Sequence, residues 1–380
     1  MLIRLYFKIG TTSLSAQNNP QKHASRLHFL DGLRGIAILL VVLYHAYADW
    51  PQELPYHEQY ADIFLFHFGK YGVQLFFIIS GFVIAMTLEK CKSFWDFMFR
   101  RWLRLFPAML VASLIILMTA PLFTARPYGV PSLQDLLPGL TFIEPEFFRL
   151  FFDKNQGVLE GLFWTLFVEM KFYILAGLMY FTIGPKKMIA VLITMFFSSI
   201  ALEFANPHLS PTVADKLDTL YHYLNWAHYG WFAAGALFYQ YYVSKNRWVW
   251  FAALVVALIA ARCLGGLPTK SMAYASILVF TFAFSMFNPI VQKMLSNKFL
   301  VFIGFISYPL YLVHENATVS MINQLHDTYP NVPSYLLPVL PTIVVTIVAW
   351  VIAQYLEPMT RKGIKQLLSF KAAQLNQKLD

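Results

Sequence analysis

Long apolar stretches follow one another along the chain from residue 31 to residue 357, separated by short polar segments. Ten of them can cross a bilayer, because about 20 apolar residues in a helix span the hydrocarbon core. They lie near residues 31–50, 71–88, 104–123, 162–183, 187–203, 223–242, 247–264, 271–288, 299–321 and 335–357. The stretches 187–203 and 271–288 are at the short limit, and neighbouring prolines predict local breaks. The pattern predicts an all-α, polytopic integral membrane protein with about ten transmembrane helices.

The composition and the charge distribution agree with this prediction, since 58% of the 380 residues are hydrophobic and only 13% are charged. A net charge of +9 could indicate a nucleic-acid partner, but the positions of the basic residues favour membrane topology instead. With the N-terminus inside, 21 of the 29 Lys and Arg residues fall in cytoplasmic segments, as the positive-inside rule requires. Both termini are predicted to be cytoplasmic, with tails of residues 1–26 and 358–380 flanking a transmembrane domain of residues 27–357.

The two cysteines predict neither a disulfide nor a metal site. Cys91 falls in a basic segment on the predicted cytoplasmic side, whereas Cys263 lies near the opposite face. The topology keeps them too far apart for a disulfide, and neither has a metal-ligand partner in register. No metal is predicted.

The first predicted span carries a cation and an imidazole, Arg34 and His45, eleven residues apart. At about 1.5 Å per residue they lie roughly 16 Å apart along the helix axis. Ionisable groups inside a bilayer are energetically unfavourable and are usually functional. One end of the helix can hold an anion while the other carries out proton chemistry. The alternative is that His45 is a structural histidine bonded to a neighbouring group.

Two further spans place ionisable groups at a depth similar to that of His45. Glu169 lies about 10 Å below the outer end of the fourth stretch, and His314 and Glu315 lie about two turns from the outer end of the ninth. Buried charges at one depth are expected to pair or to face a water-filled cavity. A neutral His45 beside Glu169 would be a general base for a hydroxyl group, with the carboxylate stabilising the imidazolium.

A basic cluster begins the third span. Arg101 and Arg104 are three residues apart and share one helix face. Guanidinium groups near a helix N-terminus suit a phosphate-rich ligand, and contact with lipid head groups is the simpler alternative. In the second span, Ser80 places a hydroxyl inside the bundle, where helix packing is its simplest role.

The longest predicted outer loop, residues 124–161, contains several prolines and short amphipathic segments. Loops of this length in compact proteins are usually functional. This loop is predicted to be a partly helical cap over an outward-facing cavity, and a flexible connector is the alternative.

Five segments together resemble the membrane-bound acyltransferase family 3, the bacterial O-acyltransferases that modify surface polysaccharides and other glycans. They are Leu30–Gly35 with His45, Phe76–Phe82, Arg100–Ala108, Phe163–Tyr173 and Ile306–His314. Each segment alone is weak, but five in the family's order over nearly the whole chain are specific. Asp31 in the first segment and Tyr311 in the last become candidate site residues.

The resemblance implies an acyl-CoA donor bound from the cytoplasm, with acetyl-CoA as the expected co-substrate, and an acceptor met on the outer side. It links Arg34 and His45 to catalysis, and Arg101 and Arg104 match the family's pair of arginines three residues apart.

The fourth-span segment departs from the family pattern. Met170 replaces a second glutamate and Lys171 replaces a glutamine, whereas Glu169 is kept. The sequence therefore does not support a role in this segment that needs two adjacent carboxylates. Lys171 is predicted to pair with Glu169 or to reach the donor.

The expected function is that of an O-acyltransferase, in particular an O-acetyltransferase, in the bacterial cytoplasmic (inner) membrane. CoA phosphates are expected at Arg101 and Arg104 with Arg34 nearby, and His45 supported by Glu169 is expected to deprotonate an acceptor hydroxyl. The expected partners are an extracytoplasmic carbohydrate or lipid-linked glycan and membrane lipids, with no nucleic acid. The oligomeric state stays open, with a dimer as one option.

Two other functions compete with this one. In a proton-coupled transporter, His45, Glu169, His314 and Glu315 would form a proton relay. The absence of an inverted repeat in the sequence argues against a transporter. A non-catalytic scaffold would leave the aligned buried charges unexplained.

Overall fold

A computed structural model describes residues 27–123, 125–149, 151, 157–263 and 269–377. The predicted N-terminal tail, residues 1–26, lies outside the described residues. The described part is all-helical and contains no strand, which confirms the predicted fold class. Its helices of seven residues or more are α1 His28–Tyr47, α2 Gly72–Leu88, α3 Phe94–Thr119, α4 Trp164–Ile183, α5 Pro185–Ala205, α6 Pro211–Leu224, α7 Tyr229–Ser244, α8 Arg247–Arg262, α9 Thr269–Ser285, α10 Pro289–Leu295, α11 Lys298–Val313, α12 Glu315–Thr328, α13 Val339–Val351 and α14 Glu357–Gln377.

Several of these helices can cross a membrane. In the described residues, six helices are long and apolar enough, or up to eight if each of two bent helix pairs is one span. The other two predicted spans correspond to α7 and α8, which have 16 residues each. A multi-pass membrane protein is therefore supported, whereas the number of ten spans is not confirmed. The cytoplasmic position of the termini stays a prediction.

The two bent pairs differ in how well the sequence predicted them. Helices α9 and α10 meet at 111° just before Pro289, where a break was expected. Helices α11 and α12 meet at 75° around His314, so the span predicted near residues 299–321 is at most a broken one, and the sequence did not predict the bend. The break follows Pro309, which cannot donate a backbone hydrogen bond within α11. The His314 ring contacts a backbone carbonyl group near the break, since its Nδ1 lies 2.9 Å from the Leu310 carbonyl oxygen.

Close backbone contacts fix α1 in the bundle, where it packs against α11 and α2. A Cβ atom added at Gly304 of α11 would lie 1.8 Å from the Asp31 carbonyl oxygen, and one added at Gly35 would lie 2.3 Å from the Leu300 carbonyl oxygen. Small residues let membrane helices approach this closely. The helix that carries Arg34 and His45 therefore has little freedom to shift or rotate.

The segment between α3 and α4 is partly helical, as predicted. It forms the short helices Leu136–Thr141 and Pro145–Arg149. Arg126 ties the start of this segment to its end, because its guanidinium donates to the carbonyl oxygens of Gly129 and Leu159 at 2.8 and 3.0 Å. These bonds close the segment on itself, and the Tyr128 backbone N–H, which donates to Asn316 Oδ1 at 3.1 Å, holds it against α12 at the end of the bundle where His45 lies.

Candidate active site

A cavity of about 730 Å³ lies among α1, α2, α3, α4, α11 and α14, toward the end of the bundle where α1 begins. More basic than acidic side chains line it, and we call it the cationic cavity. The basic ones are Arg34, Lys90, Arg101, Arg104 and Arg361, and the acidic ones are Asp31, Glu169 and Glu357. The predicted site residues Ser80 and Tyr311 also line this cavity. The structure thus brings seven predicted site residues to one space.

The two arginines at the start of α3 lie along one wall of the cationic cavity, as their spacing predicted. Arg101 is buried, whereas Arg104 is exposed. The Arg101 guanidinium donates through Nη2 to the Thr87 hydroxyl at 3.3 Å, and its buried Nε has no hydrogen-bond partner. An unpaired guanidinium donor at a cavity wall is a ready partner for an anionic oxygen.

Farther inside, Arg34 and Ser80 each meet a carboxylate. The Arg34 guanidinium donates to Asp31 at 3.1 Å. The Ser80 hydroxyl donates to Glu169 Oε1 at 2.5 Å. This bond joins α2 to α4 and orients Glu169 within the cationic cavity.

His45 lies outside the cationic cavity, in a cluster of buried polar groups that we call the histidine cluster. Its Nδ1 lies 2.9 Å from Asp49 Oδ2 and 3.8 Å from Glu315 Oε1. The ring of His314 approaches it edge-on at 5.4 Å between centroids. Asp49 follows α1, whereas Glu315 reaches His45 because it begins α12 just after the bend. The cluster therefore depends on the bend between α11 and α12.

The bend is held by a buried network that sequence patterns did not single out. Leu162 donates its backbone N–H to Glu315 at 3.1 Å. Glu160 accepts from the Asn316 backbone N–H at 3.1 Å and from the Arg126 guanidinium at 3.4 Å. Asp49, Arg126, Glu160 and Asn316 were not predicted as site residues. Glu160 is a carboxylate next to an apolar span, which is the signal that could have drawn attention to it.

Two carboxyl groups next to the spans have shifted pKa values. Burial by itself raises the pKa of Asp49. The adjacent His45 ring and the Tyr44 hydroxyl, which donates to Asp49 at 2.9 Å, lower this pKa by more than burial raises it, so the net shift is downward. Burial raises the pKa of Glu160 to about 7 although Arg126 opposes the shift. Asp49 is thus a carboxylate at neutral pH, where Glu160 is partly protonated.

A hydrogen-bonded pair separates the two sites. The hydroxyl groups of Thr165 and Tyr311 lie 2.7 Å apart, and Tyr311 donates to the Leu162 carbonyl oxygen at 3.1 Å. Both side chains line the cationic cavity, and the Tyr311 ring lies 6.1 Å from the ring of His314, measured between centroids. His45 therefore lies behind Tyr311 and His314 when viewed from the cavity.

The structure corrects two predicted pairings. His45 contacts Asp49 and Glu315 rather than Glu169, which is bonded to Ser80 in the cationic cavity. The expected support of His45 by Glu169 is therefore wrong, and so is a relay that would join all four predicted groups directly. Lys171 does not pair with Glu169 either, because its ammonium donates to Glu144 at 2.6 Å. Residues two apart on a helix point in nearly opposite directions.

The histidine cluster also contains the groups that could hold a metal ion. One ligand atom from each of His45, Asp49 and Glu315 lies within 4.8 Å of the others. A nitrogen and two carboxylate oxygens are a donor set that divalent transition metals accept. That the protein works without a metal stays a prediction.

Residues 27–355 match the acyltransferase domain family, the acyltransferase family 3 that the five segments resemble. The chain belongs to this family. The match covers every residue of the cationic cavity up to Gln354 and the whole histidine cluster. Arg101 and Arg104, which line the cavity wall, lie within the matched residues.

Individual relatives match only part of the chain. A putative O-acetyltransferase of Staphylococcus aureus is 28% identical over 158 residues, which are 38% of this chain and 23% of that protein. A peptidoglycan O-acetyltransferase of Listeria monocytogenes is 27% identical over 162 residues, with the same two shares. An O-acetyl transferase of Shigella phage Sf6 is 26% identical over 175 residues, 44% of this chain and 50% of that protein. The chain thus matches half or less of the length of each of these relatives. No solved structure is significantly similar to it.

Proposed function

We propose that this protein is an integral-membrane O-acyltransferase that moves an acyl group, in particular an acetyl group, from acyl-CoA to a hydroxyl group of a glycan. The observation that carries the proposal is the position of the cationic cavity next to the histidine cluster. One offers arginines for a polyphosphate, and the other offers a histidine between two carboxylates. Family membership supports the reaction class, and the relatives named as O-acetyltransferases support the acetyl group and the oxygen acceptor.

The cationic cavity suits the donor. CoA carries its phosphates at one end and its thioester at the other, so it needs cations at the mouth and a narrower, less charged channel inside. Arg104 is exposed at the wall and Arg101 keeps an unpartnered buried donor. A cavity of about 730 Å³ is in the size range of cofactor sites. The excess of basic residues supports a cytoplasmic position for this end by the positive-inside rule, on the side where acyl-CoA is made.

The histidine cluster suits the transfer step. The acceptor hydroxyl gives its proton to His45 while its oxygen attacks the thioester carbonyl carbon. The carbon–sulfur bond then breaks, and the imidazolium returns the proton to the CoA thiolate. Asp49 and Glu315 stabilise the imidazolium between these two events. The thioester must pass the Tyr311–Thr165 pair, and rotation of the Tyr311 side chain would open that path.

The acceptor is proposed to be a carbohydrate outside the cytoplasmic membrane of a bacterium. The Listeria relative is named for peptidoglycan, and the histidine cluster lies at the end of the bundle away from the cationic cavity. In this scheme the acyl group crosses the membrane inside the protein, from a cytoplasmic donor to an outer acceptor.

The decisive test of this function is NMR of surface glycans from matched deletion and complemented strains. We expect an O-acyl signal that is lost on deletion, restored by the wild-type chain and not restored by His45→Ala at equal expression. Identical spectra from deletion and wild-type strains would show that the chain does not acylate these glycans.

The arginines of α3 offer a test of the donor site with a built-in control. Arg104→Ala and Arg101→Ala are each expected to raise the KM for acetyl-CoA by about 10- to 100-fold, because a hydrogen bond to a charged group contributes about 1.5–3 kcal/mol. Arg100→Ala is the matched control. Its guanidinium is about half exposed, pairs with Asp96 at 2.8 Å and does not line the cavity. Equal effects of all three substitutions would contradict a specific phosphate site.

A further inference from the structure

A second cavity, of about 480 Å³, lies on the other side of α4 from the cationic cavity, under the segment that joins α3 to α4. We call it the outer cavity. Its lining comes from that segment, from α4 and from α6, and none of it belongs to the lining of the cationic cavity. The lining residues used below are Tyr128, Glu144, Glu146, Gly161, Trp164 and Tyr223.

The side chains of this cavity combine aromatic faces with carboxylates. Trp164 and Tyr223 are 42% and 45% exposed although both line a cavity, so part of each ring is available to a ligand. Glu144 and Glu146 offer carboxylate oxygens, and each also pairs with a cation, Lys171 or Arg149. Sugar rings present apolar faces of C–H bonds and a rim of hydroxyl donors, so this combination matches them. A belt of aromatic residues in contact with lipid would not need the two carboxylates.

The outer cavity shares a thin wall with the histidine cluster. The Tyr128 side chain lies across Gly161, since a Cβ added at Gly161 would lie 2.2 Å from the Tyr128 hydroxyl oxygen. The residue after Gly161 donates its backbone N–H to Glu315, which faces His45 at 3.8 Å. On its other side, the Tyr128 ring meets the ring of Trp50, which follows Asp49, at 5.7 Å between centroids. Tyr128 thus separates the outer cavity from the proposed base.

We propose that the outer cavity binds the glycan acceptor, with Trp164 and Tyr223 stacking on sugar rings and Tyr128 covering the passage to His45. This inference rests on the proposed function, because it names the acceptor site for the same reaction. It assigns acceptor affinity to Trp164 and Tyr223, neither of which lines the donor cavity. A lipid chain in this cavity is the competing occupant that the experiment must exclude.

The test uses the full chain purified in detergent and, as probe, glycan from the producing cells whose O-acyl groups are removed with mild alkali. Trp164→Ala and Tyr223→Ala are each expected to weaken equilibrium binding of this glycan, measured without donor, by about tenfold. The KM for the glycan in the transfer assay should rise by the same factor while the KM for acetyl-CoA stays unchanged. Trp164→Phe and Tyr223→Phe should recover most of the affinity. Trp248→Ala, at a tryptophan that is 71% exposed and lines neither cavity, is the control.

The outcomes separate the two proposals. If the wild-type chain binds the glycan through Trp164 and Tyr223 but transfers no acyl group, the proposed function fails and the binding site stands. If transfer occurs but both alanine variants keep wild-type glycan affinity, the outer cavity is not the acceptor site. If both alanine variants instead lose a bound lipid and keep glycan affinity, the cavity is a lipid site. Since Trp164 also contacts Phe77 and His228, Tyr223→Ala decides the matter if Trp164→Ala does not fold.

Discussion

Replacement of His45 by alanine is expected to lower the rate of acyl transfer by about 10²–10⁴-fold, the usual contribution of a positioned general base. An imidazole can both accept and return a proton near neutral pH, and of the two in the histidine cluster His45 lies beside the carboxylates, whereas His314 Nδ1 lies 2.9 Å from the Leu310 carbonyl oxygen. Asp49 and Glu315 cannot replace His45, because Asp49 stays ionised and Glu315 is bonded to the Leu162 backbone. The measurement is the initial rate with radiolabelled acetyl-CoA and the O-deacylated glycan.

Two further measurements distinguish a loss of catalysis from a loss of folding or of donor binding. His28→Ala, at an exposed histidine in the first turn of the same helix, should keep the wild-type rate. Binding of acetyl-CoA to His45→Ala should also be unchanged, because His45 does not line the cationic cavity. A variant that loses donor binding together with activity would indicate a folding defect. Full transfer by His45→Ala would rule out the proposed mechanism.

The second large effect is expected on folding. Gly304→Ala should markedly lower the thermal stability and the yield of folded protein, because its Cβ would lie 1.8 Å from the Asp31 carbonyl oxygen and 2.6 Å from the carbonyl carbon. Both are backbone atoms, so the clash is relieved only if α1 and α11 move apart. Overpacking usually destabilises by about 1–3 kcal/mol, and we expect the upper end of that range.

Gly363→Ala is the matched control for this substitution. It exchanges the same residue types within α14, where nothing lies within 4 Å of the added Cβ. Because alanine favours helix by about 1 kcal/mol over glycine, the control should be as stable as wild type or slightly more so. Unfolding followed by intrinsic fluorescence in detergent compares the two. Equal melting temperatures would mean that α1 and α11 are not held together by this contact.

The features of the site that the sequence predicted correctly are those that depend only on the spacing of residues within one helix. Arg101 and Arg104 share a helix face because they are three residues apart, and both line the cationic cavity. Each of the ten predicted apolar stretches coincides with one or two helices of the described residues, since a span needs about 20 apolar residues whatever its neighbours are. The prediction that Ser80 serves only in helix packing was incomplete, because nothing in its own segment indicates that its hydroxyl donates a hydrogen bond to Glu169 of α4.

The errors arose where rotation and bending decide the contact. Glu169 and His45 were assigned to one site because they have similar predicted depths, but depth does not specify which way a side chain points around its helix. Glu169 points into the cationic cavity, whereas Lys171, two residues later, points to Glu144. Likewise, a continuous ninth span would have carried Glu315 farther along one axis, and the 75° bend turns it toward His45 instead.

Local sequence pattern was therefore sufficient for the helical class, the membrane character, the family and the individual ionisable residues. The helical class, the membrane character and the ionisable residues follow from composition, periodicity and spacing within single segments, whereas the family follows from the resemblance of five segments taken in order. The partners of those residues depended on the tertiary arrangement, because Asp31, Glu169 and Glu315 are distributed over three helices whose rotation is set by contacts such as that of Gly304 with Asp31. His45 finds Asp49 four residues along its own segment, but it acquires its second carboxylate, Glu315, only when the chain bends at His314 and the Arg126–Glu160–Asn316 network holds that bend. That bend is not encoded in the first helix.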